Sequence, residues 1–317
     1  MEVLKQAKEL RKLWGGFWSA RVLLTANNFG VFDYLKSPKT AIEIAKLLKT
    51  DSRATEILLD ALAGLGLLKK SGNKYKNTPT ANRFLIKESP YYHGDIIKHA
   101  DTLWKNWSGL DEIIKTGRPN RSAHDHEAFI KGMHNIASLK AKDVIKAIDL
   151  KGVRKALDLG GGPGTYSIEM AKKGLSVTLF DLPETIKIAK EIIKKSKAKD
   201  IDFIEGDFIS DDIGNGYDLI FISQVLHAYS EKSCMSLIKK SKAALNPNGR
   251  IVIQEFYIDK NRTTPPQSAL FSVNMLVNTY GRCYPPSEIK QWLTKAGFKN
   301  IRHKIFNDSV MVEGVNK

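Results

Sequence analysis

Cysteine is scarce in this chain: Cys234 and Cys283 are the 2 thiols among 317 residues. So few exclude a disulfide framework and a cysteine-based zinc site, and a reducing cytoplasm is the expected compartment. Long apolar runs are missing, so no segment is expected to span a bilayer. The opening residues, Met1-Glu2-Val3-Leu4-Lys5-Gln6, are charged and amphipathic, unlike the apolar stretch and small-residue cleavage site of a signal peptide. Internal repeats, low-complexity segments and a GxxxxGK(S/T) phosphate loop are also absent, which disfavours a nucleoside triphosphatase. Acidic residues are outnumbered, 34 against 50 basic, for a net charge of +16. The excess is spread from Lys36 to Lys295 without a dense arginine stripe, and reads as a solvated lysine-rich surface.

What is present is a 42% hydrophobic fraction, enough for a sizeable core in one large domain or two ordinary ones. The chain shows two regimes. Up to about Ser89 the pattern is short helices followed by a hairpin. Thr40 with Glu43 three residues later is a capping box, and Asp51 caps the next helix, whose Ile57, Leu58, Ala61, Leu62 and Leu65 form an apolar stripe. Leu67-Leu68-Lys69, Ser71-Gly72-Asn73 and Lys74-Tyr75-Lys76 read as strand, tight turn, strand. Helices followed by such a wing make a mainly helical winged-helix domain over residues 1–95. A helical linker over 96–150 leads into an α/β core over 151–317, the two forming a domain of 96–317. In the core, apolar strands alternate with helices: Lys155–Leu159, Ser176–Phe180, Ile201–Ile204, Tyr217–Ile222 and Arg250–Ile253. That alternation implies a Rossmann-like, mostly parallel sheet covered on both faces. Two closing strands between Ile301 and Val315 have no helix between them, so the last is expected to be antiparallel.

The first strand runs into Asp158-Leu159-Gly160-Gly161-Gly162-Pro163-Gly164, a strand-to-helix turn whose glycines let backbone approach a ligand. Asp181 ends the next strand, at the distance along the chain where an acidic residue reaches a ribose hydroxyl. The third strand ends in Gly206-Asp207-Phe208, a carboxylate for an adenine amino group and a ring to cover the base. All lie at carboxyl ends of strands, the crevice where open α/β sheets bind ligands. The GxGxG spacing of Gly160, Gly162 and Gly164 departs from the GxGxxG of dinucleotide binders and favours S-adenosylmethionine over NAD. Gly160 and Gly162 are assigned to its methionyl end, with Asp158, Leu182, Ser223 and Gln224 as further cofactor contacts.

The fourth strand leads to Ser223-Gln224-Val225-Leu226-His227 and the fifth to Gln254-Glu255. A histidine and a carboxylate then face the same rim as the cofactor crevice. A phenol near pKa 10 and an imidazole near 6.5 differ by roughly three to four units, about 5 kcal/mol for complete proton transfer. A base in contact that takes the proton as the new bond forms avoids much of that cost. His227 is therefore the candidate base and Glu255 its support. His124, His126 and His134 flank or follow Asp125 but have no second motif, and read as solvated helix surface; no metal is expected.

These residues resemble the class I S-adenosylmethionine-dependent O-methyltransferases, the group of plant caffeate and hydroxyindole enzymes and their bacterial relatives. Ala156–Gly164 is similar to the family's cofactor loop, Phe180-Asp181-Leu182-Pro183 to its F-D-L-P segment, and Gly206-Asp207-Phe208 to its G-D-F. Leu226-His227 with Tyr229-Ser230 and Cys234 resembles the stretch bearing the catalytic histidine, and Gly249–Glu255 the strand with its supporting glutamate. The resemblance covers nearly the whole chain. It implies methyl transfer to a small aromatic or secondary-metabolite hydroxyl, and a homodimer whose N-terminal helices close the partner's acceptor pocket. It also implies that Phe129, Met133, Met275 and Asn278 line that pocket. Trp14, Phe17 and Trp18 are expected at the dimer interface. Neither nucleic acid nor membrane is expected as a partner.

Two departures carry information. Ala228 stands where the family has Asp, and Cys283, in Tyr280-Gly281-Arg282-Cys283-Tyr284, where it brings a second glutamate toward the histidine. A less supported imidazole suits an acceptor that ionises readily, so C- or S-methylation is an alternative reading. A second alternative is a winged-helix nucleic-acid-binding regulator with a ligand-sensing α/β domain. Against it, the second wing helix, Asp51–Asp60, carries three acids and one arginine, a poor match for a helix that reads base edges.

Overall fold

A computed structural model describes residues 1–306 and 308–317. The chain divides into two compact units, Met1–Thr102 and Leu103–Lys317. The first holds α1 (Glu2–Gly15), α2 (Phe17–Asn28), α3 (Val31–Tyr34), β1 (Lys39–Thr40), α4 (Ala41–Leu48), α5 (Ser52–Gly64), β2 (Leu68–Ser71), β3 (Lys74–Asn77) and α6 (Pro79–Phe84). The division falls within α7 (Gly94–Trp107), where a continuous helix provides no loop at residue 95.

The capping box forms: Thr40 Oγ1 accepts from the Glu43 N–H at 3.3 Å, and Glu43 Oε2 from the Thr40 N–H at 2.7 Å. Asp51 Oδ1 accepts from the Ala54 N–H at 2.7 Å, a cap of the kind that stabilises a helix by about 1 kcal/mol. The face α5 buries runs through Thr55, Leu59 and Leu62, against Phe32, Ile44 and Tyr75. The expected stripe is therefore split. Leu62 is in the core, whereas Ile57 and Leu65 stay 54% and 44% exposed. Asp60 Oδ1 accepts from both Lys70 Nζ and the Tyr75 hydroxyl at 2.6 Å, tying α5 to the wing. The sheet order is β1-β3-β2. β1 is two residues long and sits on β3 antiparallel, too short to leave a period in the sequence.

The second unit continues through α8 (Leu110–Thr116), α9 (His126–Ser138) and α10 (Ala141–Lys146). Its α/β part comprises β4 (Lys155–Leu159), α11 (Thr165–Ala171), β5 (Ser176–Asp181), α12 (Pro183–Ser196), β6 (Ile201–Glu205), β7 (Tyr217–Ser223) and α13 (Glu231–Ala244). It closes with β8 (Leu245–Phe256), α14 (Pro266–Asn278), α15 (Pro286–Lys295), β9 (Lys299–Phe306) and β10 (Ser309–Val315). The order is β6-β5-β4-β7-β8-β10-β9. Strands β4 to β8 pair in parallel, and β10 runs antiparallel to both β8 and β9, as expected for the tail.

Residues 177, 179 and 180 of β5, 219–222 of β7 and 251–253 of β8 are buried, as strands covered on both faces require. β8 begins at Leu245 rather than Arg250: Leu245 pairs with Tyr217 across a register shift, so residues 246–249 lie inside an irregular strand. The chain winds from β4 outward to β6, then crosses back to β7 on the other side. The reversal opens a crevice at the carboxyl ends of β4 and β7. Among the described residues, no helix is long and apolar enough to cross a membrane.

Candidate active site

The turn after β4 rests on a buried acid. Asp158 is 1% exposed, and its Oδ2 accepts from the Ser167 hydroxyl at 2.6 Å. Its other oxygen has no partner among the described residues. Burial pushes this carboxyl up to about 7, and the nearby Asp181 charge adds to the effect. Gly162 adopts φ +55° with open space where a Cβ would stand. Only glycine takes that conformation without strain, and the open side leaves room for a ligand to meet backbone. The Gly162 N–H donates to Asp181 Oδ2 at 2.8 Å, and the Leu182 N–H to Oδ1 at 2.8 Å. Burial raises the Asp181 carboxyl, opposed by those two amides and by the Thr185 hydroxyl. Thr185 also meets His126 Nε2 at 3.1 Å.

Past β6, Asp207 is exposed, and its Oδ1 accepts from the Ile209 N–H at 2.8 Å. Phe208 packs edge-on to Tyr229 at 5.4 Å and sits 6.5 Å from the Phe180 ring. At the end of β7, Ser223 donates to Gln254 Oε1 at 2.9 Å. Gln224 has φ +59°, an uncommon value for a non-glycine residue, and its buried side-chain amide nitrogen lacks a partner among the described residues. The crevice thus holds an open glycine backbone, an unpartnered carboxylate oxygen and an unpartnered amide donor. That set fits a ligand with an amino acid end and a ribose.

His227 lies in the one-turn 3₁₀ helix Leu226–Ala228. Its Nδ1 is 2.6 Å from Glu255 Oε2, and both residues are buried. Glu255 Oε1 accepts from the Val225 and Leu226 N–H groups at 2.9 and 2.7 Å. One carboxylate therefore holds both the imidazole and the turn that carries it. The network assigns the ring proton to Nδ1 and leaves the lone pair on Nε2.

Three further contacts fix the turn. Cys234 Sγ reaches the Leu226 carbonyl at 3.3 Å, the Tyr284 hydroxyl donates to the Tyr229 carbonyl at 2.6 Å, and Gly281 lies against His227 backbone. A Cβ on Gly281 would stand 2.1 Å from the His227 carbonyl oxygen, so only glycine fits. The His227 ring meets Phe271 edge-on at 5.1 Å and Phe256 at 5.8 Å. Cys283 is buried, and its N–H donates to Ser272 Oγ at 3.1 Å. Burial raises the Cys283 thiol to about 11 and Cys234 to about 12, so both are neutral at neutral pH.

The structure thus brings His227 and Glu255 together, and separately Gly162, Asp181 and Leu182. Met275 is buried one turn beyond Phe271 on α14. Phe129 and Met133 are half-buried on α9. Asn278 is already engaged: its Nδ2 donates to the Asn274 carbonyl at 2.9 Å, and its Oδ1 accepts from Asn106 at 2.8 Å. Phe256, Phe271 and Gly281 were not singled out from sequence as site residues. They carry no titratable group, and only the tertiary fold sets them on His227. His126 and His134 are half-buried rather than solvated; each meets a threonine hydroxyl, on α12 and α11 respectively. Among the described residues, no group of side chains could hold a metal ion.

Comparison with known proteins identifies the family. Residues 92–299 match the O-methyltransferase domain family and residues 12–87 the O-methyltransferase dimerisation domain. Acetylserotonin O-methyltransferase of Gallus gallus is 32% identical over 315 residues, covering 90% of each chain. The 3-hydroxy-5-methyl-1-naphthoate 3-O-methyltransferase of Streptomyces sahachiroi is 32% identical, covering 92% of this chain and 90% of that one. The solved structure of human N-acetylserotonin methyltransferase with SAM superimposes with a TM-score of 0.90 at 27% identity, covering 98% and 97% of the two chains. The chain belongs to the O-methyltransferase family and is an S-adenosylmethionine-dependent enzyme.

Proposed function

We propose that this enzyme methylates a hydroxyl on a small, flat aromatic molecule, with His227 as general base. The observation that carries the reading is the 2.6 Å contact between His227 Nδ1 and Glu255 in a buried, aromatic-walled rim. Bound S-adenosylmethionine supplies a methyl group already activated on a sulfonium sulfur. What remains for the protein is to place the acceptor oxygen and take its proton. Nε2, with Nδ1 tied to Glu255, holds a lone pair for that proton, and the Glu255 charge stabilises the imidazolium that results. Phe256, Phe271 and Met275 give an apolar wall that favours a planar acceptor and keeps water from the base. The two relatives with 32% identity carry acceptor names, acetylserotonin and hydroxynaphthoate, of this aromatic hydroxyl class.

Cofactor roles follow the crevice. Asp181 takes the ribose hydroxyls, Asp207 and Phe208 the adenine, and Gly160 and Gly162 the methionyl end, with Asp158, Leu182, Ser223 and Gln224 around them. Removing the Asp181 carboxylate is expected to cost about 1.5–3 kcal/mol of cofactor binding. Calorimetry should therefore show S-adenosylhomocysteine bound at least tenfold more weakly by Asp181→Ala. Unchanged affinity would refute the assignment.

Cys283 bears on which acceptors react. A neutral thiol at that position leaves Glu255 as the carboxylate on which the imidazolium relies, so methyl transfer to poorly acidic phenols is slow. Across phenols of similar shape, activity should rise with acidity, and Cys283→Glu should favour the less acidic members. A flat series in both enzymes would remove Cys283 from the account.

The working enzyme is a homodimer in a reducing cytoplasm. Trp14, Phe17 and Trp18 are each at least half exposed, at 56%, 50% and 61%, and Ile57 adds to this apolar surface. An isologous interface buries such surface. Light scattering should report a dimer at micromolar concentration; a stable monomer would contradict it.

A further inference from the structure

The turn that carries His227 is braced against the glycine loop. Gln224, at φ +59°, bends the chain out of β7, and Val225 follows it, 8% exposed. A Cβ on Gly160 would stand 2.8 Å from Val225 Cγ2 and 3.4 Å from Phe208 Cε1, so the Gly160 backbone is lodged between those two side chains. The Gly160 N–H donates to the Phe180 carbonyl at 2.9 Å, which ties the loop to the end of β5. The loop is thus held to the sheet by its own backbone, and it meets the catalytic turn through Val225.

The turn is fixed in its own right. Glu255 Oε1 accepts from the Val225 N–H at 2.9 Å, while Oε2 stands 2.6 Å from His227 Nδ1. That carboxylate sets the imidazole relative to the turn. What it leaves open is the gap between the turn and the loop, and the Val225 side chain fills that gap. A β-branched residue suits the task, because two γ carbons on a stiff χ1 make a wedge of fixed shape.

We propose that Val225 is a positioning residue for methyl transfer: wedged on Gly160, its side chain sets the spacing between the cofactor loop and His227, and with it the distance at which the acceptor oxygen held by Nε2 meets the methyl group. This rests on the assignments of Gly160 to the methionyl end and of His227 as base. Reacting atoms misplaced by about 1 Å can cost on the order of a hundredfold in rate. The methionyl end is held by loop backbone, which the Val225 side chain does not supply, so its loss is read in kcat rather than in cofactor affinity.

The test joins turnover, calorimetry with S-adenosylhomocysteine and melting temperatures on the full-length protein. Val225→Ala, which empties the wedge, should lower kcat about ten- to hundredfold. Its S-adenosylhomocysteine affinity and acceptor KM should stay within about threefold of the parent. Val225→Thr, with the same branched shape, should recover most of the lost kcat. Val225→Leu fills the volume without the branch. It should lose kcat as alanine does at a parental melting temperature, so it carries the test if the alanine variant unfolds. Gly160→Ala supplies the reciprocal check. Its new methyl group collides with Val225, so alone it should bind S-adenosylhomocysteine poorly, and it should regain affinity when Val225→Ala opens the space. A residue that only fills the core predicts instead a lowered melting temperature with unchanged kcat, and additive losses in the double variant; that pattern would overturn the proposal. His227→Ala separates the two readings. Near-parental kcat there overturns the base assignment and this proposal with it. A large loss there beside parental kcat in Val225→Ala and Val225→Leu overturns the positioning role alone.

Discussion

Replacing His227 by alanine is expected to lower kcat by a hundredfold or more while cofactor affinity stays close to that of the parent. A hundredfold corresponds to about 2.7 kcal/mol of transition-state stabilisation, within the range of a well-placed general base. The loss should appear equally in kcat and kcat/KM, because the proton moves only as the new bond forms. His227 donates its Nδ1 proton to Glu255 and packs its ring on Phe271 and Phe256, and none of these residues belongs to the glycine loop. Binding of S-adenosylhomocysteine should consequently survive. Near-normal turnover on a good acceptor would mean that positioning beside the sulfonium supplies most of the rate.

Glu255→Gln should be more damaging than its small change of shape suggests. Glutamine retains one oxygen for the Val225 and Leu226 amides, so the turn keeps its cap and the protein folds. The same placement sets an NH₂ group against His227 Nδ1. Two donors do not pair, so the ring shifts its proton to Nε2 and offers Nδ1 as acceptor. The acceptor's proton then finds an occupied nitrogen. A loss on the order of 10³–10⁴ in kcat accompanies an imidazole held in the wrong tautomer, and that is the size expected here. Glu255→Ala is a different experiment. It strips three N–H donors of their acceptor in a buried turn, and unmade buried hydrogen bonds cost about 1–3 kcal/mol each. That variant should melt several degrees lower, whereas Glu255→Gln should not. Equal activity of Glu255→Gln and the parent would show that tautomer control is not the carboxylate's role.

Much of this was legible in the sequence, for reasons that differ by element. The capping box at Thr40 and Glu43 and the cap at Asp51 are local chemistry, complete within a few residues. Strands β4, β5 and β7 announce themselves because a parallel sheet buries both faces, which leaves continuous apolar runs. Asp181, His227 and Glu255 could be placed because Asp181 ends β5, Glu255 is the last but one residue of β8 and His227 follows closely on β7, and strand ends in such a sheet share one rim.

What stayed hidden is set by tertiary packing. On α5, several registers offer leucines, and only contact with Phe32, Ile44 and Tyr75 selects the face through Leu59 and Leu62. The apolar run shows β8 only from Arg250 to Ile253, yet the strand starts at Leu245, which pairs with Tyr217 across a register shift. His126 reads as a surface residue until α9 and α12 are packed, when its ring meets the Thr185 hydroxyl. The close approach of Gly281 to His227 spans distant parts of the chain and leaves no local pattern.

The central claim is that this crevice and its histidine move a methyl group onto an aromatic oxygen. The most direct measurement uses S-adenosylmethionine carrying a carbon-labelled methyl group, incubated with the purified enzyme and a panel of aromatic hydroxyl compounds. Magnetic resonance then reads where the label arrives. The account predicts a labelled methyl ether on an aromatic oxygen, formed by the parent enzyme and lost on His227→Ala. Label arriving on carbon or sulfur, or an ether formed equally fast without His227, would contradict it.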